Sequence, residues 1–248
     1  SPYRVLRISA TTVTNAPDKE IITDDEVIAE GLIASSLSVN EGVSKAVEEN
    51  NRLDDDLLLI RLANQKRIEI QEEYQRRKLK IRPLVLIQFP NGQDEWIQRV
   101  KDELANLGYG ESSGLVASWF SGDHPDNIDE LKKLDGEYAF LLFKQAIATG
   151  WDCPRAKILV KLREGGTETF NIQTIGRIRR MPEKHHYDDD LLDRCYVYTL
   201  DSQFQEGLTQ AVSDSFYSYL YKVKEPRPLL MLPKEYLDGS DIDVPDTK

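Results

Sequence analysis

Between residues 82 and 200 short apolar runs recur, each separated from the next by a charged, helix-patterned segment. The run RPLVLIQFP (82–90) is rich in aliphatic residues and bounded by prolines, as a buried strand is. NGQDEWIQRVKDELANLGYG follows as turn, amphipathic helix and glycine stop, with Trp96, Val100, Leu104 and Leu107 at helical spacing. LVASWFSG (115–122), YAFLLFKQA (138–146), KILVKL (157–162) and RCYVYTL (194–200) read as further strands. DHPDNIDELKKLDG reads as a loop with a short helix, and TFNIQTIGRIRR (169–180) as a helix. Strands that alternate with helices are joined by crossovers, and crossovers make parallel neighbours. The expectation is an α/β fold with a mostly parallel sheet and helices on both faces.

The flanks carry less pattern. YRVLRISATT (3–12) reads as a short strand running into a small-residue loop, TNAPDKE as a turn, and DDEVIAEGLIAS as a short helix or strand-like connector. From about Asn40 to Lys80 the pattern is helical. Leu57, Ile60, Leu62, Ile68 and Tyr74 are interspersed with charge, and no Pro or Gly stands between Gly42 and Pro83. That predicts a long helix with a solvated face, packed on the core. After Leu200 come one amphipathic segment (203–222), a Pro-rich stretch and an acidic end. Phe216, Tyr217, Tyr219 and Tyr221 are expected to serve packing rather than base stacking.

The net charge of -11 conceals an asymmetry. Cys153 to Lys184 holds eight Lys/Arg against three acids, whereas the chain from His185 onward holds six basic and thirteen acidic residues. The local field, not the global one, decides whether a polyanion can bind. Two cysteines give neither a disulfide framework nor a metal cluster and fit a reducing, cytoplasmic setting. No apolar run approaches the roughly 18 residues of a membrane span, and no signal peptide is expected. The chain begins without Met and is read as a fragment.

The basic segment is also where the chemistry concentrates. In FKQAIATGWDCPRAKILVKLREGGTETFNIQTIGRIRRMPE (143–183) a turn follows a strand directly, so its loop is placed at the carboxyl edge of the sheet, where ligands of open α/β sheets sit. Gly150 allows close backbone approach, Asp152 can accept from a hydroxyl or hold an arginine, and Trp151 is expected to plug the loop into the core. Gly176 stands in a helix, where glycine costs about 1 kcal/mol relative to alanine. Arg177 and Arg180 are three apart on one helical face, with Gln173 four residues before Arg177. Two guanidiniums side by side repel unless an anion lies between them, and a triphosphate matches them bidentately. Spacing alone leaves open an alternative, in which these arginines simply pair with acids on a neighbouring element.

QTIGRIRR resembles motif VI of superfamily 2 helicases and translocases (Q-x-x-G-R-x-x-R), ATGWD resembles motif V, LVLIQFP stands in the place of motif IV, and ISATT at 8–12 resembles motif III. The wording around motifs V and VI looks most like the Res subunit of Type III restriction enzymes and its DEAD/DEAH relatives. The resemblance covers about residues 3–200 and implies a RecA-like second domain. Residues 1–15 would end the first RecA-like domain, 16–81 would be a connector with the long helix, 82–200 the second helicase domain and 201–248 a C-terminal extension. It implies catalytic roles for Arg177 and Arg180 and ATP contacts for Gly150, Asp152, Gln173 and Gly176. It implies nucleic-acid contacts for Gln88, Phe89, Ala148 and Thr149, and motif III coupling through Ser9, Ala10 and Thr11. ATP and Mg²⁺ are the implied cofactors, DNA and a methyltransferase subunit the implied partners, with an endonuclease domain beyond Lys248. Two departures stand out. No G-x-x-x-x-G-K-[ST] loop occurs, and no Asp-Glu box for Mg²⁺, so the chain alone is expected to be inactive. Motif VI carries Thr174 and Arg179 where many relatives have arginine and glycine.

KHHYDDD (184–190) and the surroundings of His124 invite a metal reading, but consecutive residues cannot all face one ion, so solvated loops and no metal are expected. The rival to an ATP-driven translocase is a RecA-like nucleic-acid or protein-interaction module without turnover.

Overall fold

The computed structural model describes residues 21–49, 54–90, 94–120, 125, 128–144, 151–162, 168–205 and 217–220. Its centre is one parallel sheet built from β1 (Ser36–Val39), β2 (Leu84–Gln88), β3 (Val116–Trp119), β4 (Phe140–Phe143), β5 (Ala156–Lys161), β6 (Arg194–Thr199) and β7 (Tyr217–Leu220). The order is β3-β4-β2-β5-β6-β1-β7, and these strands pair in parallel throughout. The helices are α1 (Asp24–Ala29), α2 (Val43–Glu49), α3 (Asp55–Arg76), α4 (Asp94–Asn106), α5 (Ile128–Lys132) and α6 (Glu168–Ile178). β2, β4 and β5 are buried along their whole length, which is why their sequences read as continuous apolar runs rather than alternating ones.

Alternation along β5 separates the two faces. Lys157 points toward Met181, just beyond α6, while its neighbour Ile158 is in register with Tyr196, whose ring lies 5.1 Å from Lys66 Nζ on α3. Thus α6 covers one face and α3 the other. Helix α4 sits beside α3, tied by the Arg61–Glu103 ion pair. The parallel sheet with helices on both faces matches the sequence expectation.

The helical stretch expected over 40–80 is two helices. Asp54 begins the second one, accepting from Asp56 N, with Asp55 and Asp56 favourably placed at the positive end of the helix dipole. Its packed stripe runs through Ile60, Ala63, Arg67, Ile70 and Tyr74, whereas Ile68 is exposed. Two strands come from outside residues 82–200, the span assigned to the sheet from the sequence. β1 is fully buried between β6 and β7, and its serines find partners: Ser36 Oγ accepts from Arg194 Nε, and Ser38 Oγ donates to Glu41. Among the described residues no helix is long and apolar enough to cross a membrane.

Candidate functional site

Helix α6 follows β5 and runs back antiparallel across the sheet, with Thr174, Ile175 and Ile178 buried beneath it. The opposite stripe holds Gln173, Gly176, Arg177 and, just beyond the helix, Arg180. Gln173, Gly176 and Arg180 are exposed, and Arg177 is half-buried. A Cβ built on Gly176 would meet nothing within 4 Å, so packing inside the described residues does not explain a glycine there. The chain leaves α6 along residues 32–34. An antiparallel bridge joins Ile33 and Arg180, Ala34 N donates to Arg179 O, and Met181 N donates to Leu32 O. Arg179 turns away from the stripe and pairs with Asp24 in the first turn of α1 at 2.9 Å.

The residues that face this stripe are Trp151 and Asp152. Trp151 is buried, as expected of a plug, and packs edge-on against Trp119 with ring centroids 6.3 Å apart. Its carbonyl oxygen accepts from Arg177 Nη1 at 2.7 Å, and Asp152 Oδ1 lies 3.0 Å from Arg180 Nε. The latter pair is open to solvent, the side chains being 55% and 48% exposed. Desolvation first, and then the charge of Arg180, lower the pKa of Arg177; the carboxylate of Asp152 acts against both.

Arg180 and Asp152 lie toward the amino ends of β1 and β5, whereas Trp119, against which Trp151 packs, is the last residue of β3; residues 145–150 of the turn lie outside the described residues. Helix α6, antiparallel to β5, delivers its last turn to the side where β1 and β5 begin. The segment after Asp152 is fastened at that same side. Cys153 Sγ donates to Leu131 O, and the fully buried Arg155 donates through Nε to Leu131 O and through Nη1 to the carbonyls of Arg82 and Tyr138, just ahead of β2 and β4.

At the carboxyl edge, Gln88 and Phe89 are fully buried, so neither is presented to solvent. Among the described residues, neither amide atom of the Gln88 side chain has a hydrogen-bond partner. Its register partner Lys161 is buried against Asp201, with Nζ 4.6 Å from the Phe204 ring centroid. Gly150, Ala148, Thr149, Ser9, Ala10, Thr11 and His124 lie outside the described residues.

The KHHYDDD stretch is occupied with backbone work. Asp193 accepts from Tyr187 N and Asp189 N, Asp189 accepts from Leu191 N and pairs with Arg77, and His186 Nε2 lies 2.8 Å from Ile33 O. Among the described residues no group of three or more His, Cys, Asp or Glu is placed to hold a metal ion. Sequence reasoning missed Arg155, Asp193 and the Arg179–Asp24 pair. For Arg155 and Asp193 a polar residue beside an apolar run was the only available signal.

A parallel sheet flanked by helices on both faces, with residues 151–152 meeting the end of α6, defines an open α/β domain. No protein-family model matches the chain. Over 84 aligned residues it is 30% identical to the Res subunit of the Type III restriction-modification enzyme EcoPI from Escherichia phage P1, a stretch spanning 28% of this chain and 9% of that subunit. Among solved structures it is similar to Dbp5 of S. cerevisiae bound to Gle1 (TM-score 0.40, 13% identity, covering 66% of this chain and 40% of that one). It is also similar to a fragment of a putative Type I restriction HsdR subunit from Vibrio vulnificus YJ016 (TM-score 0.44, 17% identity, covering 73% and 35%). The chain therefore spans less than half the length of each of these proteins.

Proposed function

We propose that this chain is the second RecA-like domain of an ATP-dependent DNA translocase or helicase, in the setting of a Type III restriction enzyme. The carrying observation is the Arg177–Arg180 pair, standing on one stripe of α6 and gathered by the consecutive residues Trp151 and Asp152. The fit to a phosphate group rests on two features: Arg180 is exposed, and the helix between the arginines and Gln173 carries a glycine with open space above it. Bound there, ATP with Mg²⁺ would supply the phosphoryl group whose transfer drives movement. Arg177 and Arg180 would hold its outer oxygens, and Gln173, Gly176, Gly150 and Asp152 would border it. The 248 residues contain no P-loop and no Asp-Glu box, so in this reading a first domain, ended by the Ser9–Ala10–Thr11 stretch, cradles the phosphates and metal. Ala148 and Thr149 would track the DNA backbone, without the buried Gln88 and Phe89. A methyltransferase subunit and an appended nuclease domain complete the restriction reading, and a cytoplasmic location follows from it.

The pairing of Arg180 with Asp152 and of Arg179 with Asp24 favours one rival, an interaction module in which the arginines serve only local ion pairs. Division of labour is testable by comparing ATP turnover of residues 1–248 with that of the full-length protein, both with DNA. The expected result is DNA-stimulated turnover in the full-length protein only. Turnover above background from a clean preparation of residues 1–248 would overturn the division, and a full-length protein without turnover would favour the rival.

A further inference from the structure

The arginine pair carries its own internal anion. Trp151 and Asp152 each hold one arginine, the first through its carbonyl oxygen on Arg177 and the second through its carboxylate beside Arg180. The two ends differ. Trp151 is buried against Trp119, so the Arg177 end is fixed, whereas the Arg180–Asp152 end is half exposed. Asp152 also acts electrostatically on Arg177, offsetting the repulsion from Arg180. The open stripe at Gly176 lies beside the pair.

We propose, resting on the phosphate-clamp reading of Arg177 and Arg180, that Asp152 is a positioning residue that holds Arg180 back: its carboxylate takes the place of a phosphate oxygen until a more highly charged anion displaces it. An exposed ion pair is a weak restraint, worth up to about fivefold in an equilibrium constant, so displacement needs no large rearrangement. A carboxylate carries one negative charge and a terminal phosphate nearly two, so polyphosphates win Arg180 where singly charged anions do not. Asp152 thereby sets a charge threshold on the site.

The test titrates tripolyphosphate into residues 1–248 at low ionic strength by calorimetry, using wild type, Asp152→Asn, Arg180→Ala, Arg177→Ala and the Asp152→Asn/Arg180→Ala double variant. Wild type is expected to bind weakly. Asp152→Asn should bind about fivefold tighter, and Asp152→Ser should show the same gain. The gain should vanish in the Arg180→Ala background, a coupling that a merely structural Asp152 would not produce. An Asp152→Asn protein that binds no tighter than wild type, while the arginine variants bind more weakly, overturns the role of Asp152 and leaves the clamp standing. Unchanged binding in both arginine variants overturns the clamp itself.

Discussion

Replacing Lys157 with methionine should stabilise the protein. Lys157 is the second residue of β5, fully buried, opposite Cys195 on β6, and among the described residues its ammonium has one hydrogen-bond acceptor, the Met181 thioether at 3.5 Å. A thioether sulfur is a weak acceptor for a charge taken out of water. Burial pulls the lysine pKa from 10.5 to about 8. At about 1.36 kcal/mol per pH unit, that gap amounts to roughly 3 kcal/mol of lost stability. The sign follows from proton linkage. Between pH 8 and 10.5 the unfolded chain binds this proton and the folded chain does not, so wild-type stability rises with pH across that window. Below about pH 8 the full penalty is present, and above 10.5 it is gone. Methionine keeps the apolar stem and drops the charge. Lys157→Met should therefore gain about 2–3 kcal/mol at pH 7, a melting-temperature rise of about 4–12 °C for a domain of this size. Urea unfolding of both proteins, repeated from neutral to about pH 10.5, reads the effect. A variant no more stable than wild type at pH 7, or a gain that does not shrink toward pH 10.5, would refute the reasoning.

Two further outcomes concern the amino ends of the strands. Arg155→Met should destabilise by about 2–3 kcal/mol in urea unfolding, because it strips hydrogen bonds from three carbonyls, the buried one of Leu131 and the partly buried ones of Arg82 and Tyr138; a loss under 1 kcal/mol would show those carbonyls to be served otherwise. Gly136→Ala should lower the melting temperature by several degrees, since its Cβ would stand 2.2 Å from Glu130 O, a backbone atom that cannot turn aside; unchanged melting would contradict the close approach.

The strands of the central sheet were legible because burial on both faces leaves a continuous apolar run, as in LVLIQ of β2 and FLLF of β4. Helix α6 and its arginine stripe were legible from helical spacing. β1 was not, because Ser36 and Ser38 interrupt the apolar pattern, and the partner of Ser36, Arg194, is remote in sequence. The meeting of Arg177 with Trp151 was hidden for another reason: the acceptor is a backbone carbonyl, which no side-chain pattern reports. The turn assigned to the carboxyl edge runs through residues 145–150, which lie outside the described residues. The residues that follow it, Trp151 and Asp152, are met by the far end of an antiparallel helix. Burial of Gln88 and Phe89 was equally out of reach, since the same apolar run describes a strand end that is covered and one that is open.

The central claim is that Arg180 acts on a phosphate and not for its own domain. Its pair with Asp152 is half exposed and worth about 0–1 kcal/mol to folding. Facing a developing phosphoryl charge in a closed cleft, a guanidinium of this kind accelerates turnover by about 10³–10⁵. The deciding measurement is DNA-stimulated ATP hydrolysis of full-length wild type and Arg180→Ala, with melting temperatures taken on the same preparations. The account predicts a loss of about a thousandfold or more in turnover with a melting temperature within a few degrees of wild type. Wild-type turnover in a stably folded Arg180→Ala protein would contradict it.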